Sequence, residues 1–183
     1  VKELARRKER PSLRDHEDLL DSIAAGVVSR WKKACPPPSD MVFDREAEVI
    51  REVCGIFLRS EEDRCRSLAP AFSEVSFGLG RPPEPGALGS GNPLEIPLSD
   101  SSSFFLRGCI DRMDRQTDGN WQIRDYKTGA PFDPDPSDPL DGGRRLQFAL
   151  YARAADLLLA ACGLAGTVAE TGYLFPGPRG QGR

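Results

Sequence analysis

Residues 108–129, "GCIDRMDRQTDGNWQIRDYKTG", decide how the rest of the chain is interpreted. The turn signal "TDGN" separates two runs that predict the strands of a β-hairpin. Charged residues occupy both strands, where a stable hairpin would carry Val or Ile. Because side chains alternate between the faces of a strand, Asp125 and Lys127 are expected to point the same way.

The position of Asp111 depends on the length of the turn. A two-residue turn at 118–119 would set Asp111 opposite Tyr126, on the other face from Asp125. A three-residue turn at 117–119, or one bulge, would set Asp111 opposite Asp125, with Cβ atoms about 4.5–5.5 Å apart. The sequence leaves both registers open.

Like charges directly opposite each other destabilise a sheet, and two explanations for them are open. In one, the carboxylates form exposed ion pairs worth about 0–1 kcal/mol each with neighbouring arginines: Arg107, Arg112, Arg115 and Arg124. In the other, a divalent cation lies between Asp111 and Asp125, since Mg²⁺ prefers hard oxygen ligands and few protein groups. Lys127 would then supply positive charge where a phosphate binds.

Hydrophobic periodicity gives the order of the remaining elements. An apolar residue recurs every fourth position of a helix predicted over 15–34, with Asp15 or Asp18 as its cap: Leu19, Ile23, Val27 and Trp31. The other patterns predict helices over 42–66 and 144–163, and strands over 69–80, 94–100, 102–116, 120–129 and 166–177. This order predicts an α/β domain with a mixed sheet, in which a helical segment (1–68) precedes the core (69–183).

Composition excludes several classes of protein. Of the 183 residues, 39% are hydrophobic, and no apolar run reaches the length of a membrane span. The net charge is −3, so any binding of nucleic acid must come from a local patch. The basic segment 1–14 is either a solvated helix face or an edge that contacts phosphates. The five cysteines fit no zinc spacing, so we expect free buried thiols and a cytoplasmic location without membrane contact.

Three motifs occur in order on the predicted elements: "GCIDRMD" (108–114), "DYKTG" (125–129) and "QFALY" (147–151). Together they resemble the RecB-like branch of the PD-(D/E)XK nuclease superfamily, which shows G-x-x-D-R-x-D, D-Y-K-[ST]-G and Q-x-x-x-Y. The resemblance covers roughly 69–176 and is similar to the C-terminal nuclease domain of AddB-type helicase–nuclease subunits. It implies a restriction-endonuclease-like core, a mixed central sheet flanked by helices.

The resemblance also implies roles for individual residues. Asp111 and Asp125 would bind Mg²⁺ or Mn²⁺, with the backbone carbonyl of Tyr126 as a third ligand. Lys127 would orient the attacking water and offset charge in the transition state.

Three further residues are candidates for supporting roles. Gln147 and Tyr151 lie one helical turn apart and would contact DNA or hold Lys127, although Tyr151 also fits a core aromatic residue. Glu74, on the first strand, is either a neighbour of the site or an exposed strand residue.

The sequence departs from the family pattern in two respects. The family carries a Glu or His motif on a helix before the sheet, and His16 lacks the Gly that precedes it there. We therefore expect His16 to face solvent and the first motif to lie upstream of Val1, so the sequence leaves open whether this fragment is active by itself. The cysteine group that holds an iron–sulfur cluster in AddB-type domains is also missing, so no such cluster is expected.

The resemblance therefore implies a Mg²⁺-dependent deoxyribonuclease domain of a helicase–nuclease that processes double-strand breaks, with DNA and a helicase subunit or domain as partners. The alternative is a catalytically inactive nuclease fold that binds DNA or a partner subunit. A third possibility is an unrelated enzyme whose Asp and Lys residues bind phosphate.

Overall fold

The structure, a computed structural model, describes residues 2–7, 9–131, 135 and 137–182. Its helices are α1 (Lys2–Arg7), α2 (Leu13–Ala34), α3 (Asp40–Arg64) and α4 (Gln147–Ala161). Its strands are β1 (Leu68–Phe77), β2 (Leu94–Pro97), β3 (Ser103–Leu106), β4 (Gly108–Gln116), β5 (Trp121–Tyr126) and β6 (Val168–Leu174).

Four strands form a mixed sheet in the order β1-β4-β5-β6. β1, β4 and β5 pair antiparallel, whereas β5 and β6 pair parallel. The parallel pair requires a long crossover, and α4 provides it. The predicted α/β class, with a mixed sheet flanked by helices, is confirmed.

The predicted strand 102–116 is wrong, because the chain forms two strands that belong to different sheets. β3 pairs with β2 in a separate ribbon, and β4 joins the main sheet after Arg107. β4 begins at a closely packed position, where a Cβ atom on Gly108 would lie 3.0 Å from the Phe77 ring and 3.1 Å from the Tyr151 ring.

The core fills the space between the main sheet and α4. Ile110, Met113 and Ile123 of the sheet are almost fully buried there. Ala154 and Ala155 on α4 are fully buried as well, and their small side chains let the helix approach the sheet closely. This packing fixes where α4 begins, beside the end of β5.

The N-terminal end of α2 differs from the sequence prediction. Ser12 caps α2 and accepts a hydrogen bond from the Asp15 amide, so neither Asp15 nor Asp18 is the cap. His16 is not solvent-facing: its side chain is 12% exposed, and its Nδ1 accepts from the Ser12 amide. None of the helices in the described ranges combines the length and apolarity needed to cross a membrane.

The cysteines are free, as expected, but only Cys65 is buried. Cys54 and Cys109 are partly buried, and Cys35 and Cys162 are exposed. The expectation of buried thiols is therefore wrong for most of them, because both exposed cysteines follow the last residue of a helix at the surface.

Candidate active site

The β4–β5 hairpin has the three-residue turn. Gln116 donates its amide to the Asn120 carbonyl at 2.9 Å, and Gly119 has a φ of 89°. The paired residues are Arg112 with Arg124, Met113 with Ile123, Asp114 with Gln122, and Arg115 with Trp121. Continued by one residue, this register places Asp111 opposite Asp125.

The side-chain alternation of two strands breaks beside Asp111. Core residues on each strand lie three positions apart instead of two: Ile110 and Met113 on β4, and Phe72 and Val75 on β1. Between them on β1, Glu74 has a φ of 56°, a left-handed conformation uncommon for residues other than Gly, Asn and Asp. The break turns Asp111 and Glu74 away from the α4 side, and both line a cleft on the α3 side.

The two aspartates are held by separate hydrogen bonds. Asp111 Oδ2 accepts from the Tyr126 amide at 2.8 Å, and Asp125 Oδ1 accepts from Gln147 Nε2 at 2.9 Å. Asp125 is 7% exposed, and its Oδ2 lies 2.5 Å from Lys127 Nζ. This distance is typical of an ion pair. Asp125 Oδ2 nevertheless has no hydrogen bond of regular geometry.

The charges of neighbouring side chains act on both Asp111 and Lys127. Burial raises the pKa of Asp111; the Tyr126 amide opposes this, while the charges of Asp125 and Glu74 add to it. The pKa of Lys127 is raised, chiefly by its contact with Asp125 and against the effect of burial. Negative charge therefore exceeds positive charge at this point, which favours a cation.

The predicted supporting residues separate into two groups. Gln147 reaches the cluster, where it holds Asp125 rather than Lys127. Glu74 lies beside Asp111, and the Cys109 thiol is 3.7 Å from its Oε2. Tyr151 is not brought to the carboxylates by any described contact: its ring packs against the core, 6.0 Å from the Phe77 ring in edge-to-face geometry.

A buried ionic network behind Tyr126 was missed in the sequence. Arg112 is 1% exposed and donates to Asp114 Oδ1 at 2.7 Å, to Glu61, and to the Tyr126 hydroxyl at 3.3 Å. The exposed ion pairs considered for the hairpin are therefore wrong for Arg112 and Asp114, because α3 covers this face. Glu61, in the segment "SEEDR" near the end of α3, is 1% exposed as well.

The cleft beside Asp111 has a volume of about 610 Å³ and opens between the helical pair and the sheet. Asp111, Glu74 and Ser73 line it from the sheet, and the helices contribute mostly apolar side chains: Ile23, Val53, Cys54 and Phe57. The carboxylates of Asp111 and Glu74, at the edge of this open cleft, are accessible to a large substrate.

Comparison with known proteins agrees with this geometry. The sequence pattern of the PD-(D/E)XK nuclease superfamily matches residues 1–181. Two curated relatives, both named as subunits of an ATP-dependent helicase/deoxyribonuclease, come from Limosilactobacillus reuteri strains DSM 20016 and JCM 1112. Each is 42% identical over 62 residues, a segment that covers 32% of this chain and 5% of the relative. The resemblance to the AddB-type domain is thus confirmed, and the chain belongs to the PD-(D/E)XK nuclease superfamily.

Proposed function

We propose that this chain is a metal-dependent deoxyribonuclease domain that hydrolyses phosphodiester bonds, within a larger helicase–nuclease that acts in double-strand break repair. One observation carries the proposal: Asp111 accepts a hydrogen bond from the amide of Tyr126, the residue that follows Asp125, and Lys127 contacts Asp125. The names of the two relatives support the link to a helicase.

The donor set fits a divalent cation. Asp111, Asp125 and the Tyr126 carbonyl would hold Mg²⁺ or Mn²⁺, since all three offer hard oxygen atoms and Asp125 Oδ2 lacks a regular hydrogen bond. No group of three or more His, Cys, Asp or Glu side chains in the described ranges is arranged to hold a metal. Water would thus complete the coordination. When bound, such an ion lowers the pKa of a bound water and polarises a phosphoryl oxygen.

The remaining residues orient these groups and stabilise charge. The Gln147 side chain and the Tyr126 amide fix the two carboxylates through hydrogen bonds. Lys127 places its ammonium next to Asp125, where it offsets the negative charge that develops on the phosphate. Water adds across the P–O bond and leaves one phosphate end and one hydroxyl end.

A second candidate function is an inactive module that binds DNA or a partner subunit. It is favoured by the apolar side chains that α2 and α3 expose, among them Val27 at 51% and Trp31 at 63%. Under this candidate the carboxylate cluster would not be needed for binding, and removal of the metal would leave the affinity for DNA unchanged.

DNA cleavage assays separate the two candidates. The chain is incubated with end-labelled single- and double-stranded oligonucleotides in Mg²⁺, in Mn²⁺ and in EDTA. We expect cleavage that needs metal and that falls about 100-fold or more in Asp125→Asn. Lys127→Ala is expected to reduce turnover strongly while Mn²⁺ affinity persists, because Lys127 is not a ligand.

Asp118→Asn is the matched control, since Asp118 is exposed in the turn of the same hairpin. It should cut DNA like the wild type. Cleavage by Asp125→Asn at the wild-type rate would remove the carboxylates from the mechanism. A wild type that binds DNA equally in Mg²⁺ and EDTA and cuts in neither would favour the second candidate.

A further inference from the structure

Lys127 is a partly exposed side chain with only one ionic contact among the described residues. Its side chain is 39% exposed, and its ammonium meets Asp125 Oδ2. The backbone is better fixed, because the Lys127 amide donates to the Leu174 carbonyl at 2.9 Å. A lysine side chain loses much rotamer entropy when it is held in one place, so a single contact leaves its ammonium poorly localised.

A second contact comes from Tyr173 on β6. In the parallel pairing of β5 with β6, Tyr173 is the partner of Asp125. The Lys127 ammonium lies over the Tyr173 ring, 5.2 Å from its centroid, within the range of a cation–π interaction. Ring and carboxylate thus contact the same ammonium.

The Tyr173 ring is itself held by two other aromatic rings. The Phe148 ring lies 4.2 Å away in tilted geometry, and the Phe175 ring lies 6.0 Å away edge-on. Phe148 follows Gln147 in the first turn of α4, and Gln147 holds Asp125. The first turn of α4 therefore orients Asp125 through Gln147 and the Tyr173 ring through Phe148.

We propose that Tyr173 is a positioning residue that holds the Lys127 ammonium beside Asp125 through the face of its ring, with Phe148 and Phe175 fixing the ring. The inference rests on the proposed function for its effect on turnover. The contact between Tyr173 and Lys127 can be tested without measuring activity.

Turnover is measured in Mg²⁺ with a DNA oligonucleotide for Tyr173→Leu and Tyr173→Phe. Leu fills space without a π face, and we expect kcat to fall about threefold to thirtyfold while KM and Mn²⁺ affinity stay at wild-type values. Phe retains the ring and should restore most of the turnover that Leu loses. In a Lys127→Met background, Tyr173→Leu should cause no further loss, since the two residues act as a pair.

A second measurement needs neither metal nor substrate. In the NMR spectrum of the chain alone, the Tyr173 ring should shift the ε-methylene protons of Lys127 upfield, and a Lys127→Arg spectrum identifies their signal. Tyr173→Phe should keep the shift and Tyr173→Leu should abolish it.

These readouts separate failure of the inference from failure of the proposed function. The inference is wrong if the wild-type signal lacks the upfield shift, or if the Phe variant loses it as the Leu variant does. The inference is also wrong if Tyr173→Leu reduces turnover by the same factor in the Lys127→Met background as in the wild type. Tyr173 would then have a structural role that does not depend on Lys127. A wild type that shows the shift but never cuts DNA would refute the proposed function and leave the positioning of Lys127 supported.

Discussion

The backbone of Glu74 is irregular where β1 runs beside Asp111. Its φ of 56° breaks the alternation of β1 at the point where β1 runs beside Asp111. For a residue with a Cβ atom, this conformation costs about 1–2 kcal/mol. Strain of this size persists only where the surrounding structure imposes it, and here it accompanies the turning of two carboxylates toward the same cleft.

The strain at Glu74 can be measured with a pair of variants. Glu74→Gly and Glu74→Ala both remove the carboxylate, but only glycine adopts the left-handed conformation without a steric penalty. We expect Glu74→Gly to be more stable than Glu74→Ala by about 1 kcal/mol in urea unfolding, because the Cβ clash is relieved. Equal stabilities would mean that β1 relaxes and that the irregular backbone is not imposed.

Asp111 should be required for metal binding. We expect calorimetric titration with Mn²⁺ to show binding by the wild type that disappears in Asp111→Ala, because Asp125 alone supplies too few oxygen ligands. Asp118→Asn, at the far end of the hairpin, is the control: it keeps an oxygen that can accept from the Asn120 amide, and it should bind as the wild type does. Unchanged binding by Asp111→Ala would mean that the two carboxylates do not share an ion.

Among the elements, α3 is joined to the sheet through charge as well as apolar packing. Glu61 on α3 pairs with Arg112 on β4, and Phe57, one turn earlier, contacts the Tyr126 ring edge-on at 5.9 Å. Both contacts lie behind Tyr126, whose amide holds Asp111. The position of α3 is therefore coupled to the strand that carries the candidate site.

The buried pair should respond non-additively to substitution. Arg112→Met leaves Glu61 buried with its main partner removed and should destabilise the fold by about 3–5 kcal/mol. The double variant with Glu61→Leu should be destabilised by less than the sum of the single effects, since Glu61 and Arg112 are then removed together and Asp114 keeps its contact with Arg64. Urea unfolding of the four proteins of this cycle gives the coupling, and strict additivity would show that the pair does not act as a unit.

The β5–β6 pairing is expected to depend on pH through Glu170. Burial acts to raise the pKa of Glu170, but Arg124 and Gln122 outweigh it and lower the pKa below its ordinary 4.5. The folded state therefore binds the proton more weakly than the unfolded state, and the stabilisation is present above pH 4.5 and lost as the pH falls through the folded pKa. Melting temperatures should separate wild type from Glu170→Gln at pH 6 and converge near pH 3; a constant difference would argue against the ion pair.

For the whole molecule, the sequence predicted the order of most elements and the motifs that carry Asp111, Asp125 and Lys127. It left the hairpin register open, because one residue in the turn decides which face Asp111 occupies. The burial of Arg112 escaped prediction, since periodicity treats arginine as a surface residue and the partner Glu61 lies on a distant helix. The role of Tyr173 also escaped prediction, because its contact with Lys127 depends on the parallel pairing of β5 with β6.

The net charge provides a test that concerns the whole molecule. A charge of −3 repels nucleic acid, and counterion release on DNA binding requires many Lys and Arg contacts to phosphates. We therefore expect weak DNA binding in EDTA, with a slope of log affinity against log salt no steeper than about −3, whereas a DNA-binding protein with about 6–10 phosphate contacts has a far steeper slope. Fluorescence anisotropy with a labelled oligonucleotide, from about 50 to 200 mM salt, measures the slope for this chain. A steep slope in EDTA would mean that the chain binds DNA through a local basic patch and would support the binding module over the nuclease.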